Sequence, residues 1–94
     1  MAVVLWTQRA EQDLEEILAY YIEEAGMRVG QSIYTRIRAN VETLKQFPER
    51  ARPGRVVGTR ECVIARLPFV AVIQVEGDRA IVLNVLHTAR KYPS

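Results

Sequence analysis

The chain has 94 residues, 49% of them apolar, with 13 basic against 11 acidic side chains and a formal charge of +2. That length builds one core and one domain over residues 1–94; the apolar content excludes a disordered chain, and no apolar run reaches the about 20 residues that span a bilayer. One cysteine, Cys62, and one histidine, His87, exclude an internal disulfide and a clustered metal site, call for no cofactor, and fit a reducing cytoplasm.

Ala2–Trp6 is a short apolar run that reads as a strand, and the acidic residues soon after it are unlike a secretory leader. Thr7 offers a helix-capping hydroxyl. Glu11, Asp13, Glu15 and Glu16 suit the positive end of a helix and are assigned to capping and solubility. Ala10, Leu14, Ile17, Leu18, Tyr21 and Ala25 recur at three- and four-residue spacings, so they share one face. Gly26 stops that helix. A second stripe, Ile33, Ile37, Val41 and Leu44, ends at Phe47-Pro48, because the residue before a proline avoids the helical region. Neither stripe satisfies the other alone, so the helix hairpin needs a sheet.

Residues 48–60, PERARPGRVVGTR, read as a loop with proline and glycine punctuation. Three strand candidates follow: Cys62–Leu67, broken or edged by Pro68, then Phe69–Glu76 and Arg79–His87, the last two joined by a Gly77-Asp78 turn. The order is β-α-α-β-β-β. This is an α+β fold with an antiparallel helix hairpin on one face of a small, mainly antiparallel sheet.

Charge is distributed unevenly along the chain. Gln8 to Glu24 carries six acids against Arg9, whereas Arg50 to Arg60 carries four arginines and no acid. Such a basic stretch suits an anionic partner or, equally, a solvated loop. A glycine-rich phosphate loop and a hydrolase triad are both excluded by residue type and spacing. What remains is a metal-free cationic site near the C-terminus. His87 can act as acid or base near neutral pH, Arg60, Arg66 or Arg90 can hold a phosphate, and Tyr92 can stack on a base. Strict alternation places His87 on the same side as Ile81, Leu83 and Val85; if helices cover that side, His87 is a packed strand-end residue.

The apolar strand ending in Trp6, AEQDLEEILAYY, LKQFPERARPGR, GTRECVI and IVLNVLHTARKYP resemble, in order and spacing, the RelE/ParE superfamily of bacterial toxins. The resemblance covers nearly the whole chain and implies the toxin of a type II toxin–antitoxin pair, neutralised by a cognate antitoxin. It leaves two mechanisms. RelE-like members cut mRNA on the ribosome without metal, whereas ParE-like members poison DNA gyrase. Nuclease members place lysines or a glutamate on the second strand and an arginine opening the third. Here Val63, Ile64 and Ala65 fill the first stretch, Pro68-Phe69 the second, and Arg66 falls short of it. His87 and Tyr92 lie near positions where nuclease members keep a histidine or a tyrosine, so His87, Arg66 and Tyr92 are the catalytic candidates on that branch. Arg60, Arg90 and Lys91 are the binding candidates on either. The incomplete nuclease set favours gyrase over the ribosome and its mRNA, and a non-toxic interaction module is the third alternative.

Overall fold

Thr7 is where strand passes to helix, and its side chain is used twice. In the structure, a computed structural model that describes residues 1–88, the Thr7 hydroxyl accepts the Ala10 N–H at 3.1 Å and donates to the carbonyls of Val82 and Leu83 at 2.8 and 3.2 Å. One residue thus caps the first helix, α1 (Gln8–Ala25), and ties it to the last strand. The strand before it, β1, is Val3–Trp6. Gly26, at φ 96°, ends α1 and lets α2 (Met27–Glu42) start at once. The two helices approach closely at Gly30, where a Cβ would stand 2.6 Å from the Ile22 side chain.

The expected stripes form the core. Ala10 and Leu14 from α1 are fully buried, as are Ile37, Val41 and Leu44 from the second stripe, with Ile33 nearly so. The first stripe runs out sooner than its spacing predicts, for Ala25 is exposed beside the Gly26 turn.

The sheet has five strands in the order β1-β5-β4-β3-β2. These are β2 (Ala51–Pro53), β3 (Arg60–Val63), β4 (Phe69–Glu76) and β5 (Arg79–His87). All neighbours pair antiparallel except β1 and β5, which run parallel. Two expectations need correction. Residues 48–60 are not all loop, since Ala51–Pro53 adds an edge strand to β3. Its proline costs nothing there, because an edge strand has one side without ladder bonds. The strand expected at Cys62–Leu67 is instead Arg60–Val63, and Pro68 lies in the following turn. Arg60 and Glu61 join the ladder through backbone pairing with Ile73 and Val72, which their polar side chains do not advertise.

A bulge in β5 corrects the alternation. Val72 pairs with Asn84, but the next residue, Ile73, pairs with Val82, so Leu83 is an extra residue. An extra residue inverts the side-chain alternation beyond it. Ala80, Val82 and Val85 therefore all enter the helix-covered core with Val4, Cys62, Phe69, Ala71 and Ile73, whereas Ile81 and Leu83 stay half-buried.

Candidate functional site

His87 ends β5 directly across from Phe69. Paired residues share a face, and Phe69 belongs to the core, so the bulge brings His87 to the helix-covered side. Its ring stands edge-on to Phe69 with centroids 5.3 Å apart, and Phe69 is edge-on to Tyr21 of α1 at 6.2 Å. The imidazole is half-buried at the end of an aromatic row.

Arg66 and Arg60 do not join it. Arg66 is exposed in the β3–β4 turn, and Arg60 opens β3 opposite Ile73. Four residues of β4, roughly 13 Å of strand, separate that position from Phe69 and His87. The Arg60 guanidinium donates to the Ala51 carbonyl at 3.3 Å, across the β2–β3 edge. Arg66 shares an end of the sheet with His87, but β4 lies between β5 and the strand that leads into the Arg66 turn. The other candidates, Arg90, Lys91 and Tyr92, lie outside the described residues. Among the described residues, no three His, Cys, Asp or Glu side chains gather as a metal site would require.

The basic stretch is partly neutralised from within. Glu61, which directly follows it, is 2% exposed on β3. Its carboxylate lies 3.8 Å from both Arg52 and Arg55 and accepts the Arg55 backbone N–H at 3.1 Å. Arg50 donates to the Asn40 side-chain oxygen at 2.6 Å. Two arginines of the four thus face a carboxylate that the count of Arg50–Arg60 leaves out by one residue.

Two acids assigned to solubility do structural work. Glu11 accepts a bidentate pair of hydrogen bonds from Arg38 of α2, both 2.7 Å, and the guanidinium lies 4.6 Å over the Trp6 ring. The Arg38 hydrogen bond holds the Glu11 carboxyl below its ordinary range, and the same bond raises the arginine. Trp6 in turn donates its indole N–H to Glu42 at 3.0 Å. Burial pushes the Glu42 carboxyl up, but bonds from Lys45 and Trp6 outweigh it and hold it low. Asp13 is buried and accepts the Val85 backbone N–H. Glu15 and Glu16 are exposed, as their assignment requires. Helical spacing could have suggested an α1–α2 ion pair, but nothing local in the sequence points Asp13 at a strand.

The cleft between α2 and the β3–β4 turn measures about 320 Å³ and is lined by Arg36, Ala39, Asn40, Thr43, Ala65 and Arg66. Sequence spacing does not join these two segments.

Comparison with known proteins places this geometry. Residues 4–92 match the family described as the ParE toxin of the type II toxin–antitoxin system parDE. The candidate toxin Y4kP of Sinorhizobium fredii is 36% identical over 90 residues, covering 96% of this chain and 92% of that one. Toxin RelE2 of Caulobacter vibrioides is 31% identical, over 96% of this chain and 99% of its own. Among solved structures, a chain of a chromosomal ParDE system from P. aeruginosa superposes with a TM-score of 0.83 at 28% identity, covering 93% of this chain and 95% of that one. A chain of the RelBE2 toxin–antitoxin complex of Mycobacterium tuberculosis gives 0.59 at 19% identity over 92% and 96%, a likeness of fold alone.

Proposed function

Because the chain belongs to the ParE toxin family of type II toxin–antitoxin systems, we propose that it arrests growth by binding DNA gyrase in the cytoplasm and that a cognate antitoxin neutralises it. The toxin role follows from membership. The choice of target rests on the ParE family match over residues 4–92, supported by the likeness to the ParDE chain at a TM-score of 0.83. The geometry is compatible with a binding role. Metal-free RNA cleavage needs a proton-transfer group beside a phosphate-holding cation. Here His87 packs on Phe69, with β4 between it and the strand that leads into Arg66.

The second reading, ribosome-dependent mRNA cleavage, draws on the 31% identity to toxin RelE2. Induced expression with labelled thymidine and methionine separates the two. A gyrase poison stops thymidine incorporation first, whereas a ribosomal nuclease stops methionine incorporation first. Early collapse of methionine uptake, with thymidine uptake sustained, would replace the first reading by the second. Normal uptake of both would leave a non-toxic interaction module.

A further inference from the structure

Among the described residues, six of the eleven arginines and lysines face a carboxylate. Arg9 pairs with Asp13, Arg38 with Glu11, Lys45 with Glu42, Arg52 and Arg55 with Glu61, and Arg79 with Glu76. Arg36 and Arg66, like Arg28, Arg50 and Arg60, have no carboxylate within ion-pair distance among the described residues, and these two together line the cleft between α2 and the β3–β4 turn. Arg36 and Asn40 stand four residues apart and so share a helix face. The Asn40 side-chain oxygen accepts from Arg50, so its amide N–H2 is what it has left to offer a ligand. The cleft is therefore rich in donors, and Ala39 and Ala65 add apolar lining.

The backbone supplies a second, independent observation. Arg66 has φ 65°, the single non-glycine residue at positive φ among the described residues. It occupies the third position of a tight turn closed by the Leu67 N–H donating to the Ile64 carbonyl at 3.3 Å. Positive φ at that position suits glycine or asparagine and strains any other residue. Here an arginine bears the strain and sets its side chain at the cleft. Backbone strain at a residue with no carboxylate partner among the described residues is consistent with a ligand-holding position.

We propose that this cleft seats one acidic side chain of the antitoxin, a glutamate or aspartate on an otherwise apolar segment, between the guanidinium groups of Arg36 and Arg66. The inference rests on the toxin–antitoxin reading above and adds to it a location and a chemistry. A carboxylate accepts from two guanidiniums at once, and its aliphatic stem suits the alanines that line the cleft. A nucleic-acid strand fits less well. It carries a charge at every nucleotide and calls for a track of unpaired cations with stacking rings, whereas these two arginines flank one small cleft and, among the described residues, most other cations already have a polar or charged partner.

Titration calorimetry with the cognate antitoxin tests this, using Arg36→Ala, Arg66→Gly and the double variant, with thermal midpoints by circular dichroism. Losing one member of a desolvated charge pair should weaken antitoxin binding about 10- to 100-fold. Arg66→Gly should do so while keeping or raising the thermal midpoint, because glycine relaxes the turn; a loss of folding cannot mimic that combination. Replacing the antitoxin acid by lysine should weaken binding to the wild type and be partly rescued by Arg36→Glu. Unchanged antitoxin affinity in all three variants, with the wild type binding tightly, overturns the cleft inference and leaves the toxin reading intact. The same holds if the variants lose affinity only for a fluorescein-labelled single-stranded oligonucleotide. A wild type that binds no antitoxin overturns both.

Discussion

Asp13 of α1 and Val85 of β5 are joined by a 2.9 Å hydrogen bond in which the carboxylate accepts the backbone N–H. Val85 lies just past the extra residue Leu83, where β5 has shifted its register against β4. A bulge disrupts the ladder locally, and a buried N–H without a partner is costly. The carboxylate supplies that partner from above the sheet, while Thr7 accounts for the Val82 and Leu83 carbonyls. The cap of α1, Thr7, and Asp13 within α1 thus hold the irregularity that directs Val85 and His87 to the core face.

Asp13→Ala should therefore destabilise the fold by about 1–3 kcal/mol, the usual cost of stranding a buried donor. Asp13→Asn should cost less, because an amide oxygen still accepts the bond while the pairing with Arg9 is lost. Urea unfolding measures the first effect. Hydrogen exchange at the Val85 amide, faster in the alanine variant than in the asparagine one, identifies the cause.

Acid should loosen the fold through Glu11, which ties α1 to α2, and Glu42, which ties α2 to Trp6 of β1. Both carboxyls are held below the ordinary value of 4.5 in the folded chain. Their stabilisation is present above that pH and is lost as the pH falls through the lowered folded values. Glu11→Gln should flatten the fall of stability below pH 4.5 and cost about 0.5–1 kcal/mol at neutral pH, as a partly exposed bidentate pair does. Unfolding midpoints followed from pH 7 downward give both quantities.

Gly30→Ala should destabilise although alanine favours helix by about 1 kcal/mol. The added Cβ meets the Ile22 side chain at 2.6 Å and its backbone nitrogen at 3.0 Å, so the helices must part. Overpacking of this kind costs about 1–3 kcal/mol. A lower thermal midpoint for Gly30→Ala, and a coupling in which it costs less in an Ile22→Ala background that lacks the clashing Cγ1, would establish the contact.

The helix hairpin was legible in the sequence because Ile33, Ile37, Val41 and Leu44 repeat at the period of the structure that buries them. The β4–β5 hairpin was legible from Gly77-Asp78 between two apolar runs. The bulge was not, since Leu83 differs in no local way from its neighbours and becomes extra only through pairing with β4. That one residue decides which side His87 takes. Ala51–Pro53 escaped for a similar reason: three residues with a proline have no period of their own and become a strand only by pairing with β3. Of the site candidates, Arg66 was singled out for a strand position and turns out to line a cleft with α2, a neighbour that only the fold supplies.

On the gyrase reading, His87→Gln should leave toxicity on induction intact, since glutamine keeps a hydrogen-bonding side chain beside Phe69 and no proton transfer is asked of it. A nuclease would lose about 10²–10⁴ in rate. Host survival on induction of His87→Gln, with folded yield confirmed by circular dichroism, would reverse the ranking.

Cys62 should be inert in the folded protein. It is fully buried, and burial pushes its thiol pKa up, so little thiolate forms near neutral pH. Mass spectrometry after iodoacetamide treatment should find it unmodified under native conditions and alkylated in guanidinium chloride.

The parallel pairing of Val3–Trp6 with the last strand sets a schedule for the chain as it is made. Among the described residues, β1 has its ladder partner in Arg79–His87, the strand farthest from it along the chain, so it is made well before that partner. The helix hairpin can form early from local contacts, but its apolar stripes wait for a sheet that cannot close until Arg79–His87 arrives. Non-local closure of this kind is slow and leaves apolar surface open meanwhile. A binding partner already present in the cell could thus meet the nascent chain before it is a finished fold. The order of synthesis of the two proteins would then influence how much free toxin ever accumulates.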